Sequence, residues 1–117
     1  MTYTELVIGN DSYKLRLTTK NAVALEKTLG HSPLNMLMEI DKGVMPALGE
    51  VLTILHAMVQ PYHHGMNMDK VYDLYDAYCE DGHNFMELIP VIVEVLQNSG
   101  YLPKAGEEKA EVSAEKN

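Results

Sequence analysis

The sequence predicts a mainly α-helical domain with an N-terminal β-hairpin packed on about five helices. Three observations carry this. Two short segments alternate apolar and polar residues with period two on either side of Gly9-Asn10-Asp11-Ser12. Apolar stripes at helical spacing then follow, punctuated by Gly30, Gly43, Pro61 and Gly82. From Lys104 onward the apolar residues run out. The expected layout is one globular unit over 1–103 and a disordered, charged tail over 104–117.

The hairpin is placed at 3–17. Leu6 and Ile8 mark one face of a first strand from Thr4 to Ile8, and Tyr13, Leu15 and Leu17 mark one face of a second. Lys14 and Arg16 lie opposite, as on a sheet with one wet face. Gly9 to Ser12 has the composition of a turn. A lone hairpin is marginal in water, so it must lie on the helices or pair its edge with another chain.

A helix is expected over about 20–29, with a hydroxyl cap from Thr18 or Thr19, a stripe of Ala22, Val23, Leu25 and Leu29, and Gly30 in the C′ position. Ser32-Pro33 opens a second helix over about 33–42, with the stripe Leu34, Leu37, Met38 and Ile40. A third, over 46–59, starts at Pro46. Its Ala47, Leu48, Val51, Leu52, Ile54, Leu55, Met58 and Val59 fill an arc of roughly 160°. A surface helix needs an apolar stripe only a little over about 100° wide, so this one should touch neighbours on more than one flank. Gln60-Pro61 stops it. A fourth, over 68–80, places Met68, Val71, Tyr72, Tyr75, Tyr78 and Cys79 on one face. A fifth, over 84–98, packs Phe85, Leu88, Ile89, Ile92, Val95 and Leu96 inward, and Pro90 should kink it or shift its start.

Composition narrows the function. The charge of −8, with nine scattered basic residues, argues against a nucleic-acid partner. No apolar run is long enough for a membrane span, and no secretory signal opens the chain. Cys79 is the one cysteine, read as a small half-buried helix residue in a reducing compartment.

No catalytic, cofactor or metal site is expected. His63-His64, with His56 and Asp69 near in sequence, read as solvated loop histidines, because adjacent side chains point apart. Asp11, Ser12 and His31 lack a nucleophile elbow or an oxyanion loop and read as turn and cap residues. Gly82-His83-Asn84 lacks the lysine and spacing of a phosphate loop. The candidate partner-binding residues are Tyr72, Tyr75, Tyr78, Met86 and Val93. Tyrosine suits interfaces because it is amphipathic, though a core stripe with hydroxyls reaching water is the plainer reading. Met86 and Val93 fall roughly 80–100° from the centre of the fifth helix's inward cluster and form a second apolar seam. The eight methionines suit a surface that accepts varied helices.

The segment from Tyr13 to Gly30, with Leu25-Glu26-Lys27-Thr28-Leu29-Gly30 inside it and Ser32-Pro33-Leu34 after it, resembles the N-terminal half of tail assembly chaperones. These belong to long-tailed phages and prophages of Gram-positive bacteria. Phe85 to Ile89 with Ser99-Gly100-Tyr101 resembles that family's last helix, and the likeness spans about residues 3–103. It implies a non-enzymatic, cofactor-free protein of the bacterial host cytoplasm, absent from the finished virion. It would bind the helical tape measure protein and keep it soluble, and would form a homo-oligomer. A longer frameshifted form would engage the tail tube protein, and a charged end such as 104–117 fits the short form. The alternative is a structural tail or head–tail component retained in the particle.

Overall fold

A computed structural model describes residues 2–104 of the chain. The tail expected over 104–117 lies, from residue 105 on, outside the described residues. The order is β1 (Thr4–Ile8), β2 (Asp11–Leu15), α1 (Thr19–Leu29), α2 (Asn35–Asp41), α3 (Leu48–Val59), α4 (Met68–Glu80) and α5 (Phe85–Asn98). The expected hairpin and five helices are therefore present.

β1 and β2 pair antiparallel, with Ile8 opposite Asp11 and Thr4 opposite Leu15. The turn is two residues, Gly9-Asn10, rather than the four expected, so Asp11 and Ser12 belong to β2. Gly9 has φ of 60° and no described non-glycine residue, Asn10 included, has positive φ, which fits a turn with glycine in its first central position. That turn matches the right-handed twist of the strands, so pairing reaches two residues further than composition suggested.

The hairpin's inner face, Thr4, Leu6, Ile8, Leu15 and Leu17, is buried. Polar contacts pin it down. Arg16 N–H donates to the Met58 carbonyl at 2.9 Å. Leu17 N–H donates to Ser99 Oγ at 3.0 Å, Asn98 Nδ2 to Thr4 Oγ1 at 2.9 Å, and Gly9 N–H to Asp81 Oδ2 at 2.9 Å. The burial and the contacts together hold a hairpin that would be marginal alone.

α3 is the centre of the core. Val51, Leu52, Ile54, Leu55, Ala57, Met58 and Val59 are buried, and the helix touches α1, α4 and β2. The wide apolar arc thus meets neighbours on several flanks. Its start differs from expectation. Residues 44–47 run without helix and Ala47 is the extended N-cap, so Ala47 and Leu48 are exposed rather than packed. Every strand and helix gives at least one residue to the same core.

α1 is capped as expected, by Thr18 accepting from Asn21 N–H, and ends on Gly30 with φ of 80°. Val23 is exposed, which narrows the stripe to Ala22 and Leu25, with Leu29 half-buried. α2 begins later than expected. Ser32-Pro33 winds a tight opening turn, with Asn35 N–H on the Ser32 carbonyl and Leu37 N–H on the Leu34 carbonyl, before α-helix sets in. Met36 is buried, while Met38, about 200° round the helix from it, is exposed; Leu37 and Ile40 of the expected stripe are half-buried against the core. α5 runs through Pro90 without shifting its start, and Asn84 caps it by accepting from Glu87 N–H.

Candidate functional site

The tyrosines of α4 do not share one face. Three-residue steps advance a helix by about 300°, so each tyrosine falls roughly 60° behind the last. Tyr78 is buried at 4% exposure, Tyr75 is half-buried, and Tyr72 is 48% exposed. Burial, and then a hydrogen bond with Cys79, push the Tyr75 hydroxyl up to about 12. Burial likewise raises Tyr78, whose ring stacks on His83 at 4.5 Å between centroids. Tyr78 is thus core, and Tyr72 is the one tyrosine of the three that stands out from it. Leu74, which the sequence reading passed over between Asp73 and Tyr75, takes the buried place on this face. Cys79 is exposed rather than half-buried.

The histidines go to separate partners. His63 is half-buried rather than solvated: its Nε2 accepts from Lys14 N–H at 3.3 Å and its ring leans on Tyr13. His64 and Asp69 are exposed. His56 Nε2 bonds the Met66 carbonyl at 3.0 Å, and Gln60 Nε2 reaches both. These bonds satisfy the polar end of a cleft of about 360 Å³ between α1 and α3. Ser12 Oγ donates to Glu5 at 3.0 Å, while His31 Nε2 pairs with Glu50 at 2.9 Å, so the hydroxyl and the imidazole serve different neighbours. Among the described residues, no group of three or more His, Cys, Asp or Glu is placed to hold a metal ion.

His83 is the more connected of the loop histidines. Its Nδ1 lies 2.9 Å from Glu87 Oε2 and its Nε2 lies 3.4 Å from Asp81 Oδ2, the oxygen that also holds the hairpin turn. The Glu87 hydrogen bond raises its pKa, against a smaller opposing effect of burial, with Asp81 adding to the rise. The arrangement ties α4, α5 and the hairpin turn together. It offers no nucleophile.

Surplus apolar surface is the stronger functional feature. Met38 on α2, Val44 and Met45 in the link to α3 and Leu48 at the start of α3 are exposed, and Met86 on α5 is 60% exposed. Val93 is half-buried, on a wall of a cleft of about 320 Å³ between α2, α5 and the segment after α5. Gly100, at φ of 92°, and Leu102 N–H on the Leu96 carbonyl fold that segment back, so Leu102 and Pro103 close one side. Met86 and Val93 therefore both stand outside the inward cluster of α5. Met38, which spacing alone puts in the inward stripe of α2, is exposed.

No helix among the described residues is long and apolar enough to cross a membrane. Residues 2–117 match DUF6096, a family of unknown function, and the chain belongs to that family. No curated protein and no solved structure matches it.

Proposed function

We propose that this member of the DUF6096 family is a phage tail assembly chaperone, working in the cytoplasm of the bacterial host. It binds the helical tape measure protein, keeps it soluble during tail morphogenesis, and leaves before the virion is finished. The reading is non-enzymatic and needs no cofactor. Client helices bury their apolar faces reversibly against apolar faces here, and the net negative charge keeps the complex in solution. A longer frameshifted form would bring in the tail tube protein.

The carrying observation is the apolar surface left outside the core: Met38, Val44, Met45, Leu48 and Met86 are exposed, and Val93 is half-buried. Single exposed apolar residues are ordinary, but Met38, Val44, Met45 and Leu48 fall within eleven residues of sequence, and such a concentration of flexible side chains suits a surface for varied partners. The sequence resemblance over about 3–103 supplies the client.

Self-association is part of the same proposal. The outer edge of β2 is closed, by Lys14 N–H on His63 and Arg16 N–H on the Met58 carbonyl. Among the described residues no backbone hydrogen bond of this kind closes the outer edge of β1, so that edge can take a strand from a second copy.

Co-expression with a tape measure fragment and co-purification tests the reading. The unmodified chain should retain the fragment, and Val93→Asp should lose it while staying folded, because an unpaired charge would be desolvated at the interface. Mass spectrometry of purified virions should find none of this chain. Its presence at stoichiometric level would favour a structural tail component instead.

A further inference from the structure

We infer that the cleft between α2 and α5 seats one amphipathic helix that carries a lysine or arginine beside its apolar ridge. As regards the client's identity this rests on the chaperone reading; the recognition chemistry does not. Leu37 and Ile40 of α2 face Ile89 and Val93 of α5 across the opening, with Leu102 and Pro103 at one side. Ile89, Val93 and Gln97 are four apart and so form one ridge along α5. Leu37 and Asp41 form the matching pair on α2. Two ridges with an open groove between them accept the ridge of a third helix.

The charge around the groove selects the occupant. Among the described residues, Asp41 is the one charged residue that lines the cleft, and it is exposed. Glu94 follows Val93 on the outer side of α5 and Glu39 lies on α2, against Lys42 at the end of α2 and Lys104 beyond the wall. The wall residues lead directly into 105–117, a segment with four glutamates and two lysines. That segment is a poor occupant for a groove marked by Asp41, and so is a second copy of a chain whose net charge is −8. A basic helix gains from Asp41, Glu39 and Glu94, which outnumber Lys42 and Lys104 around the groove.

Three peptides of equal length test this against the full chain by calorimetric titration: a leucine/lysine amphipathic helix, a leucine/glutamine helix with the same apolar pattern, and a scrambled leucine/lysine peptide with no apolar face. NMR shifts locate the site. The ordered lysine peptide should bind with one-to-one stoichiometry and shift the signals of Leu37, Ile40, Ile89 and Val93. The scrambled peptide should bind at least tenfold more weakly. Asp41→Asn should weaken the lysine peptide roughly threefold to fivefold at low salt and leave the glutamine peptide unchanged. Equal binding of the ordered and scrambled peptides, equal binding of the lysine and glutamine peptides, or shifts confined to other faces would each overturn the inference. If the peptides fail in these ways while the tape measure fragment still co-purifies, the inference falls and the chaperone reading stands. If the lysine peptide binds as described and the fragment does not co-purify, the chaperone reading falls and the cleft assignment stands.

Discussion

α3 and α2 are both rich in large apolar residues, yet those residues end in opposite places. α3 buries Val51, Leu52, Ile54, Leu55, Ala57, Met58 and Val59, whereas α2 buries Met36 alone. Length and surroundings make the difference. α3 has 12 residues and is enclosed by α1, α4 and β2; α2 has seven and opens with a tight turn. An apolar residue is core only if a neighbour arrives to cover it. The apolar residues of α2 that find no cover, with those of the link that follows, are the surface on which the proposed chaperone reading rests.

The sharpest way to break this contrast is to truncate one residue in each helix. Leu55→Ala removes a side chain with almost no exposure and should cost about 2–5 kcal/mol, read as a lower urea midpoint at unchanged slope. Met38→Ala, in a side chain that is 59% exposed, should stay within about 0.5 kcal/mol. If the two variants unfold alike, the division between a structural and an interaction helix is wrong.

The helix starts sharpen the comparison with a smaller effect. α1 is held by the Thr18 side chain on Asn21 N–H. Thr18→Ala should lose about 1 kcal/mol, measured by thermal or urea unfolding. Ser32 Oγ accepts from Leu34 N–H at 3.1 Å, in the tight turn before α2, and Ser32→Ala should cost less than Thr18→Ala because α2 carries less of the core. The reverse ranking would mean that α2 is docked more firmly than its burial suggests.

The smallest expected effect is pH-dependent and lies at the other end of the molecule, where α4, α5 and the hairpin turn meet. Glu87, and then Asp81, hold His83 above the ordinary 6.5, so the folded state favours its protonated form. That contribution is fully present below about pH 6.5 and is lost as pH rises through the raised folded-state value. His31, raised by the Ser32 carbonyl and by Glu50, acts with the same sign. Thermal midpoints of the wild type should therefore decline from pH 6 to pH 8, and His83→Gln should flatten part of that decline. An identical slope in the variant would remove His83 from the account.

The sequence by itself determined the element types. Period-two alternation around Gly9-Asn10 made the hairpin, and helical spacing with Thr18, Asn67 and Asn84 as caps made α1, α4 and α5. These are local effects, since turn twist, cap hydrogen bonds and side-chain period act within a few residues. Tertiary structure decided which apolar residues became core. Tyr78 and Tyr72 lie on one helix and look alike in sequence, but one stacks on His83 inside while the other faces out. Met36 and Met38 divide the same way on α2, one buried and the other exposed. His63, read as a loop residue in water, closes the edge of β2 through a contact 49 residues distant in sequence. Burial depends on what a third element brings against a face, and no spacing within one helix encodes that.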